Sequence, residues 1–305
     1  MPVPESFRAL AAKVNNWGRW GDHDELGTLN LITDDVRRRA AACVKTGKAF
    51  PLAIPLSEDG PQLGFIAGRV NPTRTMHMIN EPSFGDPTMF CSSDDAVTMG
   101  LQAGTHWDSL AHVSYDGRLY NGYDPATITD AGASKAGIDK VGALVGRGVL
   151  LDVARAKDVD RLEPGYSITG ADLDAATRTP VEPGDIVLIR TGQMQLLHAG
   201  DKVAYTHPSP GPSIHCVEWF HQHDIAAVAT DTLVFEAFPG DDPDFLLPVH
   251  LLDIVEMGLT QGQNFDLEAL AADCAADGVY EFLLSATPEP FVRGLGAPVA
   301  PVAIK

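Results

Sequence analysis

The feature that most restricts the fold of this chain is a series of short apolar runs, each bounded by turn residues. Runs of four to seven residues suit buried strands better than helices, and four stand out: Gly148–Val153, Asp185–Arg190, Ala226–Ala229 and Tyr280–Ala286. Segments with helix-start signals follow or precede them, at Thr169–Ala176, Ser213–His223, Pro248–Gly258 and Asp266–Asp277. Strands interleaved with helices predict an α/β domain around a mostly buried sheet.

The first part of the chain has less regular patterning. Thr33 precedes an amphipathic stretch over residues 34–46 and predicts a helix there, and Phe50–Leu56 predicts an edge strand because prolines flank it. Glycine, proline and asparagine are frequent from Gly60 to Phe90, which predicts a long ordered loop. Residues 94–109 alternate as one strand. We therefore predict an N-terminal arm over residues 1–49 and one catalytic domain over residues 50–305.

The charge balance restricts the partners of the protein. The chain has 22 Lys and Arg residues against 41 Asp and Glu residues, a net charge of −19. Such a surface repels phosphate backbones and anionic lipids, so we expect neither nucleic acid nor a membrane as partner. The four cysteines are scattered and form no CxxC pair, which predicts reduced thiols. The sequence shows no apolar N-terminal leader and no run of 18 apolar residues, and we therefore expect a soluble, cytoplasmic protein.

The segment from Gly104 to His112, GTHWDSLAH, carries the strongest chemical signal. On a strand, His106 and Asp108 project from one face, where an imidazole nitrogen and a carboxylate oxygen can bind one divalent cation at ~2.0–2.2 Å. A turn after Asp108 would bring His112 back beside the pair. The alternative is a buried histidine–aspartate hydrogen bond without a metal. Signatures of P-loop, Rossmann, serine-hydrolase and zincin enzymes are absent from the sequence.

The same segment resembles the HxGTHxDxxxH signature of the cyclase family of metal-dependent hydrolases, which includes bacterial kynurenine formamidase and isatin hydrolase. Three further stretches resemble family motifs: residues 184–192 (GDIVLIRTG), residues 230–232 (TDT) and residues 250–252 (HLL). The stretches at 17–21 and 26–30 resemble a longer subgroup of the family. The resemblance implies a compact α/β fold with a β-barrel-like mixed sheet flanked by helices, assembled into homodimers or homotetramers.

Carried over to this chain, the resemblance makes His106 and Asp108 metal ligands and His112 the catalytic acid/base. A late family histidine falls on His250, but a family glutamate falls on Gln263 and the first motif histidine falls on Gln102. Because an amide oxygen is a weaker donor than imidazole or carboxylate, we expect one divalent ion, Mn²⁺ or Zn²⁺. Its ligands would be His106, Asp108 and Gln102, with His250 and Gln263 as weaker ligands or substrate contacts.

Aromatic and imidazole side chains near the motif or on the long loop are candidates for substrate binding, and we select Trp107, His77 and Phe84. His215, His221 and His223 share no single helical face and are predicted to lie at the surface. The predicted function is metal-dependent hydrolysis of an amide, lactam, imide or lactone of a small, possibly cyclic molecule. The alternatives are a metal-free binding protein and a cyclase or dehydratase that uses the His–Asp pair as acid and base.

Overall fold

The structure is a computed structural model that describes residues 3–240 and 245–305. Its strands are β1 Ala49–Pro51, β2 Thr73–Pro82, β3 Cys91–Thr98, β4 His106–Asp108, β5 Ile128–Thr129, β6 Gly132–Ala133, β7 Val145–Asp152, β8 Ser167–Ile168, β9 Ile186–Arg190, β10 Gly211–Pro212, β11 Ala227–Thr230, β12 Thr260–Gln263, β13 Glu281–Ser285, β14 Gly296–Pro298 and β15 Val302–Ile304. Its helices are α1 Glu5–Val14, α2 Asp34–Ala42, α3 Val153–Ala156, α4 Gly170–Ala176, α5 Met194–His198, α6 Lys202–Thr206, α7 Val217–Gln222, α8 Pro248–His250 and α9 Glu268–Asp277, and a π-helical segment, Leu251–Met257, continues α8.

Nine strands form one mixed sheet that curls into a half-barrel, in the order β1-β15-β13-β7-β9-β11-β12-β4-β14. The central strands β7, β9, β11 and β12 run parallel, and antiparallel strands continue the sheet on both sides. The four apolar runs of the sequence are β7, β9, β11 and β13, so the prediction of an α/β fold around a buried mixed sheet is confirmed. The strand predicted over Phe50–Leu56 lies at an edge of the sheet, as its prolines predicted, but it is shorter and begins earlier, since β1 covers Ala49–Pro51.

Both faces of the central sheet are buried, which explains the uninterrupted apolar runs. On β9, Ile186 and Leu188 join one core together with Trp107 and Phe282, whereas Val187 and Ile189 join a second core on the other face of the sheet. Residues of α1, α4 and α7 cover that second core, among them Phe7, Leu173 and Phe220. The alternation of neighbours along one strand therefore builds two separate cores.

The predicted helices begin at or near the positions that the sequence signals gave, whereas α1, α3, α5 and α6 were not predicted. Thr33 caps α2 and Thr169 forms a capping box with Asp172 at α4. Ser213 caps the short 3₁₀ turn Ile214–Cys216 that leads into α7, and Pro248 occupies the first turn of α8. Among the described residues, none of the helices has the length and apolar character that a membrane span requires.

Two sequence predictions are corrected by the structure. The second half of the predicted loop over Gly60–Phe90 contains β2, which pairs with β3 as an antiparallel hairpin of exposed strands. The strand predicted over residues 94–109 is two strands, β3 and β4, separated by a turn in which the backbone N–H of Ala103 donates to the carbonyl oxygen of Gly100 at 3.0 Å. In addition, the C-terminal tail is part of the main sheet, where β14 pairs with β4 and β15 lies between β1 and β13.

The sheet topology determines where the motif residues lie. β4 runs between β12 and β14, so that Gln263 of β12 is opposite His106 and Gly296 of β14 is opposite Asp108. Gly262 allows this close packing, since a Cβ there would come within 2.8 Å of Ala229, Phe265 and Trp107. The short strand β4 is thereby held on both sides.

Candidate functional site

His106 and Asp108 project from the same face of β4 into the interior of the protein. Nδ1 of His106 lies 2.8 Å from the carbonyl oxygen of Gly104. Because a carbonyl oxygen only accepts hydrogen bonds, Nδ1 carries the proton and Nε2 keeps its lone pair. That Nε2 lies 3.5 Å from Oδ1 of Asp108. Both atoms are buried and have no hydrogen-bond partner within residues 3–240 and 245–305.

The carboxyl group of Asp108 is held in its ionised form by the surrounding imidazoles. Burial alone would raise its pKa, but His112, His106 and His250 outweigh burial and hold the pKa well below the usual range of an aspartate. A fully buried carboxylate with one unsatisfied oxygen is thus available as a ligand for a cation.

His112 returns to the site through the turn that follows β4, in which its backbone N–H donates to Ser109 at 3.0 Å. Its Nε2 lies 3.7 Å from Oδ1 of Asp108, and its side chain is 20% exposed. Burial lowers the pKa of His112, although Asp108 opposes this effect. A neutral imidazole beside a carboxylate and partly open to solvent can accept a proton.

Gln263 and His250 complete the side of the site opposite His112. Nε2 of Gln263 donates to Oδ2 of Asp108 at 2.8 Å and lies 3.5 Å from Nε2 of His250. The amide of Gln263 therefore occupies one side of the Asp108 carboxylate.

Glu236, which no sequence pattern had indicated, fixes His250 in place. Oε1 of Glu236 lies 2.5 Å from Nδ1 of His250, and the carboxylate also accepts the backbone N–H groups of His250 and Val249. Burial favours the neutral imidazole, but Glu236 outweighs burial and raises the pKa of His250. Glu236 lies in an irregular segment 14 residues before His250, and no spacing rule points to it.

Gln102 lies at the edge of the same site. Its amide packs against Gly296, the strand partner of Asp108, where a Cβ would come within 2.7 Å of Nε2 of Gln102. The structure therefore brings the five predicted metal-site residues and His112 into one neighbourhood: Gln102, His106, Asp108, His112, His250 and Gln263.

A metal ion at this site would have few strong protein ligands. Within the described part of the chain, no three His, Cys, Asp or Glu side chains are arranged to hold a metal ion together. Nε2 of His106 and Oδ1 of Asp108 nevertheless lie side by side with free lone pairs and no hydrogen-bond partner among the described residues. Such a pair suits a transition metal whose remaining positions are filled by water or weak amide ligands.

The proposed role of Trp107 in substrate binding requires correction. Residues alternate across a strand, so Trp107 points away from His106 and Asp108, into the core that it shares with Ile186 and Leu188. Its side chain is fully buried, packs edge-on against Phe265 and donates its indole N–H to the carbonyl oxygen of Ala286 at 2.8 Å. Trp107 therefore stabilises the core.

The other predicted substrate contacts lie at the surface. His77 is on β2 and Phe84 is in the turn between β2 and β3, and both side chains are exposed. No contact in the described residues links either side chain to Asp108, and their role stays a prediction. His215 is exposed, whereas His221 and His223 are half-buried and the ring of His223 stacks on Trp219, so these histidines lie at the surface or at its edge.

Known proteins share this architecture. The sequence profile of the Cyclase family ("Putative cyclase") matches residues 50–237. A crystal structure of a novel cyclase has 38% sequence identity and a TM-score of 0.87, with coverage of 97% of this chain and 99% of that chain. Comparison with curated proteins gives no match.

More distant structures share the fold at low identity. Isatin hydrolase A from Ralstonia solanacearum is 19% identical with a TM-score of 0.61, and the match covers 85% of this chain and 92% of that chain. A predicted metal-dependent hydrolase from Bacillus stearothermophilus is 17% identical with a TM-score of 0.53, and the match covers 85% of this chain and 98% of that chain. The family profile spans more than half of the sequence and the 38% identical structure spans nearly all of it, so this chain belongs to the cyclase family.

Proposed function

We propose that this protein is a metal-dependent hydrolase that opens the C–N or C–O acyl bond of a small amide, lactam, imide or lactone. The observation that carries the proposal is the buried pair formed by Nε2 of His106 and Oδ1 of Asp108, 3.5 Å apart and both unsatisfied among the described residues. The fold shared with isatin hydrolases and predicted metal-dependent hydrolases supports the same reaction class. The ion would be one Mn²⁺ or Zn²⁺.

Each residue of the candidate site has a separate role in the proposed hydrolysis. A divalent ion held by His106 and Asp108 would polarise the substrate carbonyl and lower the pKa of a water molecule towards ~7. His112 accepts the proton of the attacking water and donates it to the leaving nitrogen or oxygen, so that the acyl bond breaks as the carboxylate forms. Gln102 contributes a weak amide ligand, and His250 and Gln263, which face Asp108 from the other side, contact the substrate.

Replacement of His112 tests its role as acid and base. H112A should lower kcat by about a hundredfold or more, because no other group would transfer the proton, and it should leave the metal content unchanged. The assay uses a substrate identified in a screen of cyclic amides and lactones, and elemental analysis measures the metal. His215→Ala, an exposed histidine, is the control and should retain activity. Full activity of H112A would remove His112 from the mechanism.

Conversion of Gln263 to glutamate tests whether its neutral amide limits metal binding. Q263E would place a second carboxylate beside Asp108, where two negative charges repel one another unless a cation lies between them. We expect Zn²⁺ or Mn²⁺ to bind roughly tenfold more tightly or better, as measured by competition with a chromogenic chelator. Gln222→Glu, an exposed change on α7, should leave the affinity unchanged. Equal affinities for Q263E and the wild type would contradict the proposed site.

The hydrogen bond from Gln263 to Asp108 favours a second candidate function, a metal-free binding protein on the same fold. Elemental analysis of wild-type protein purified without chelator distinguishes the hydrolase from the binding protein. About one Mn or Zn per chain supports the hydrolase. A wild type that takes up no metal and cleaves no substrate, beside a Q263E variant that binds metal, supports the binding protein.

We also propose that the protein forms a homodimer through the β2–β3 hairpin. Among the described residues, the two strands pair only with each other, and an isolated two-stranded hairpin is marginally stable in water. Its exposed apolar side chains include Ile79 (71% exposed), Phe84 (76%) and Phe90 (62%). Exposed apolar side chains that are gathered on one hairpin favour a protein partner. We take that partner to be a second copy of the chain, since most soluble oligomers are homo-oligomers.

Charged substitutions on the hairpin test this interface. The double variant Ile79→Asp/Phe90→Asp should sediment as a monomer at micromolar concentration, because each buried carboxylate would lack a partner in the interface. Val292→Asp, an exposed apolar residue outside the hairpin, is the matched control and should remain dimeric. A wild-type monomer at the same concentration would rule the interface out.

A further inference from the structure

The carbonyl group of Gly104, which fixes the tautomer of His106, accepts a second hydrogen bond from Asn264. Nδ1 of His106 lies 2.8 Å from the carbonyl oxygen, and Nδ2 of Asn264 lies 2.9 Å from it. A carbonyl oxygen has two lone pairs, so each of the two donors can use one of them. Asn264 is 160 positions from Gly104 in the sequence and has no part in the proposed hydrolysis. The direction of this carbonyl group therefore depends on a residue from a distant part of the chain.

Asn264 directly follows Gln263, the last residue of β12, and its side chain is fully buried. Its φ of 58° lies in the left-handed region, which asparagine adopts more readily than most residues. Its backbone N–H donates to the carbonyl oxygen of Thr232 at 2.9 Å, and its own carbonyl oxygen accepts from Oγ1 of Thr105 at 2.6 Å. The backbone of Asn264 is therefore held on both sides, which gives its amide a fixed position beside Gly104.

Tyr205 orients the side-chain amide of Asn264. Oη of Tyr205 lies 2.7 Å from Oδ1 of Asn264. Because the Gly104 carbonyl only accepts hydrogen bonds, the amide atom that faces it is Nδ2 and the atom that faces Tyr205 is Oδ1. The tyrosine hydroxyl must then be the donor. Burial raises the pKa of Tyr205 well above its ordinary value, so the hydroxyl keeps the proton that this bond requires.

The position of Tyr205 is fixed in turn by Gln193. Nε2 of Gln193 donates to the backbone carbonyl oxygens of Ala204 at 2.8 Å and Tyr205 at 3.1 Å, and the side chains of Tyr205 and Gln193 are fully buried. The hydrogen bonds of Gln193, Tyr205 and Asn264 thus form one buried network that ends at the Gly104 carbonyl. Such a network holds each of its members in one orientation.

The Gly104 carbonyl decides whether His106 and Asp108 form a cation site or a closed hydrogen-bonded pair. The proton of a neutral imidazole can lie on either nitrogen. With the proton on Nδ1, Nε2 of His106 and Oδ1 of Asp108 are both acceptors, 3.5 Å apart and without partners among the described residues. With the proton on Nε2, the imidazole would instead donate to Oδ1, and the pair would satisfy itself without a cation.

We propose that Asn264, oriented by Tyr205, is a positioning residue that keeps the Gly104 carbonyl directed at Nδ1 of His106 and thereby keeps Nε2 free of a proton. The binding of a metal ion by this Nε2 rests on the proposed function. The position of the proton on His106 does not, and it can be measured in the metal-free protein.

The variant N264G tests the proposal, since it removes the amide and keeps a left-handed backbone, which glycine adopts freely. ¹⁵N NMR of histidine-labelled protein, at a pH at which His106 is neutral, reports which ring nitrogen carries the proton, and the H106Q variant assigns the signals. Metal-free wild type should carry the proton on Nδ1 alone, whereas N264G should also populate the form protonated on Nε2. Competition with a chelator should show that N264G binds Zn²⁺ about tenfold more weakly or worse.

The variant Y205F tests whether Tyr205 acts through Asn264. It removes the hydroxyl and keeps the buried ring, and it should change the His106 tautomer and the affinity for Zn²⁺ in the same direction as N264G, to a smaller extent. In the double variant N264G/Y205F, loss of the hydroxyl should add nothing, because the amide that it orients is already absent. Additive effects of the two substitutions on the affinity would contradict this order of action.

Asn16→Ala is the matched control, since it removes a buried amide that donates to the backbone carbonyl of Met257 at 3.0 Å, outside the network. It should lower the melting temperature, as N264G does, and leave the His106 tautomer and the affinity for Zn²⁺ unchanged. Thermal melting shows which variants are folded, and Y205F decides alone if N264G is not. A proton on Nδ1 alone in every folded network variant, or on Nε2 in the wild type, would overturn the role of Asn264. A tautomer that depends on Asn264, in a wild type that binds no metal and cleaves no substrate, would instead refute the proposed function alone.

Discussion

The hydrogen bond from Nδ1 of His106 to the Gly104 carbonyl is the interaction on which the candidate site depends. It keeps the proton on Nδ1 and directs the lone pair of Nε2 towards Asp108. β4 is held between β12 and β14, and this fixes the distance between Nε2 of His106 and Oδ1 of Asp108. Two buried acceptors side by side without partners among the described residues are costly, and a cation satisfies both at once.

The central strands β7, β9 and β11 could be predicted from sequence because they are buried on both faces and appear as short apolar runs, and capping residues such as Thr33 and Thr169 mark the helices. The central strand β12 is equally buried, but its sequence, TQGQ, is polar and no strand was predicted there. The β2–β3 hairpin could be predicted only in part. Residues 94–98 of β3 belong to the strand predicted from alternation, whereas β2 lies in the segment predicted as a loop, because an exposed strand has no buried apolar face. The tail strands β14 and β15 have three residues each, which is too short for a pattern to be visible.

The candidate site was predictable only where its residues are close in sequence. His106, Asp108 and His112 could be found because strand alternation and one turn bring them together. The same alternation places Trp107 on the opposite face of β4 and would have assigned it to the core. Gln263 and His250 depended on the resemblance to the family. Glu236 lies in an irregular segment, and only the tertiary fold brings it to His250, beside Gln263 and Asp108.

A crystal structure of protein loaded with Zn²⁺ or Mn²⁺, with the ion located by its anomalous scattering, tests the central claim most directly. The account predicts one ion at ~2.0–2.2 Å from Nε2 of His106 and Oδ1 of Asp108, with Nε2 of His112 facing its water ligand. An ion bound elsewhere, or a site in which His106 and Asp108 hydrogen-bond only to protein groups in the presence of excess metal, would contradict it.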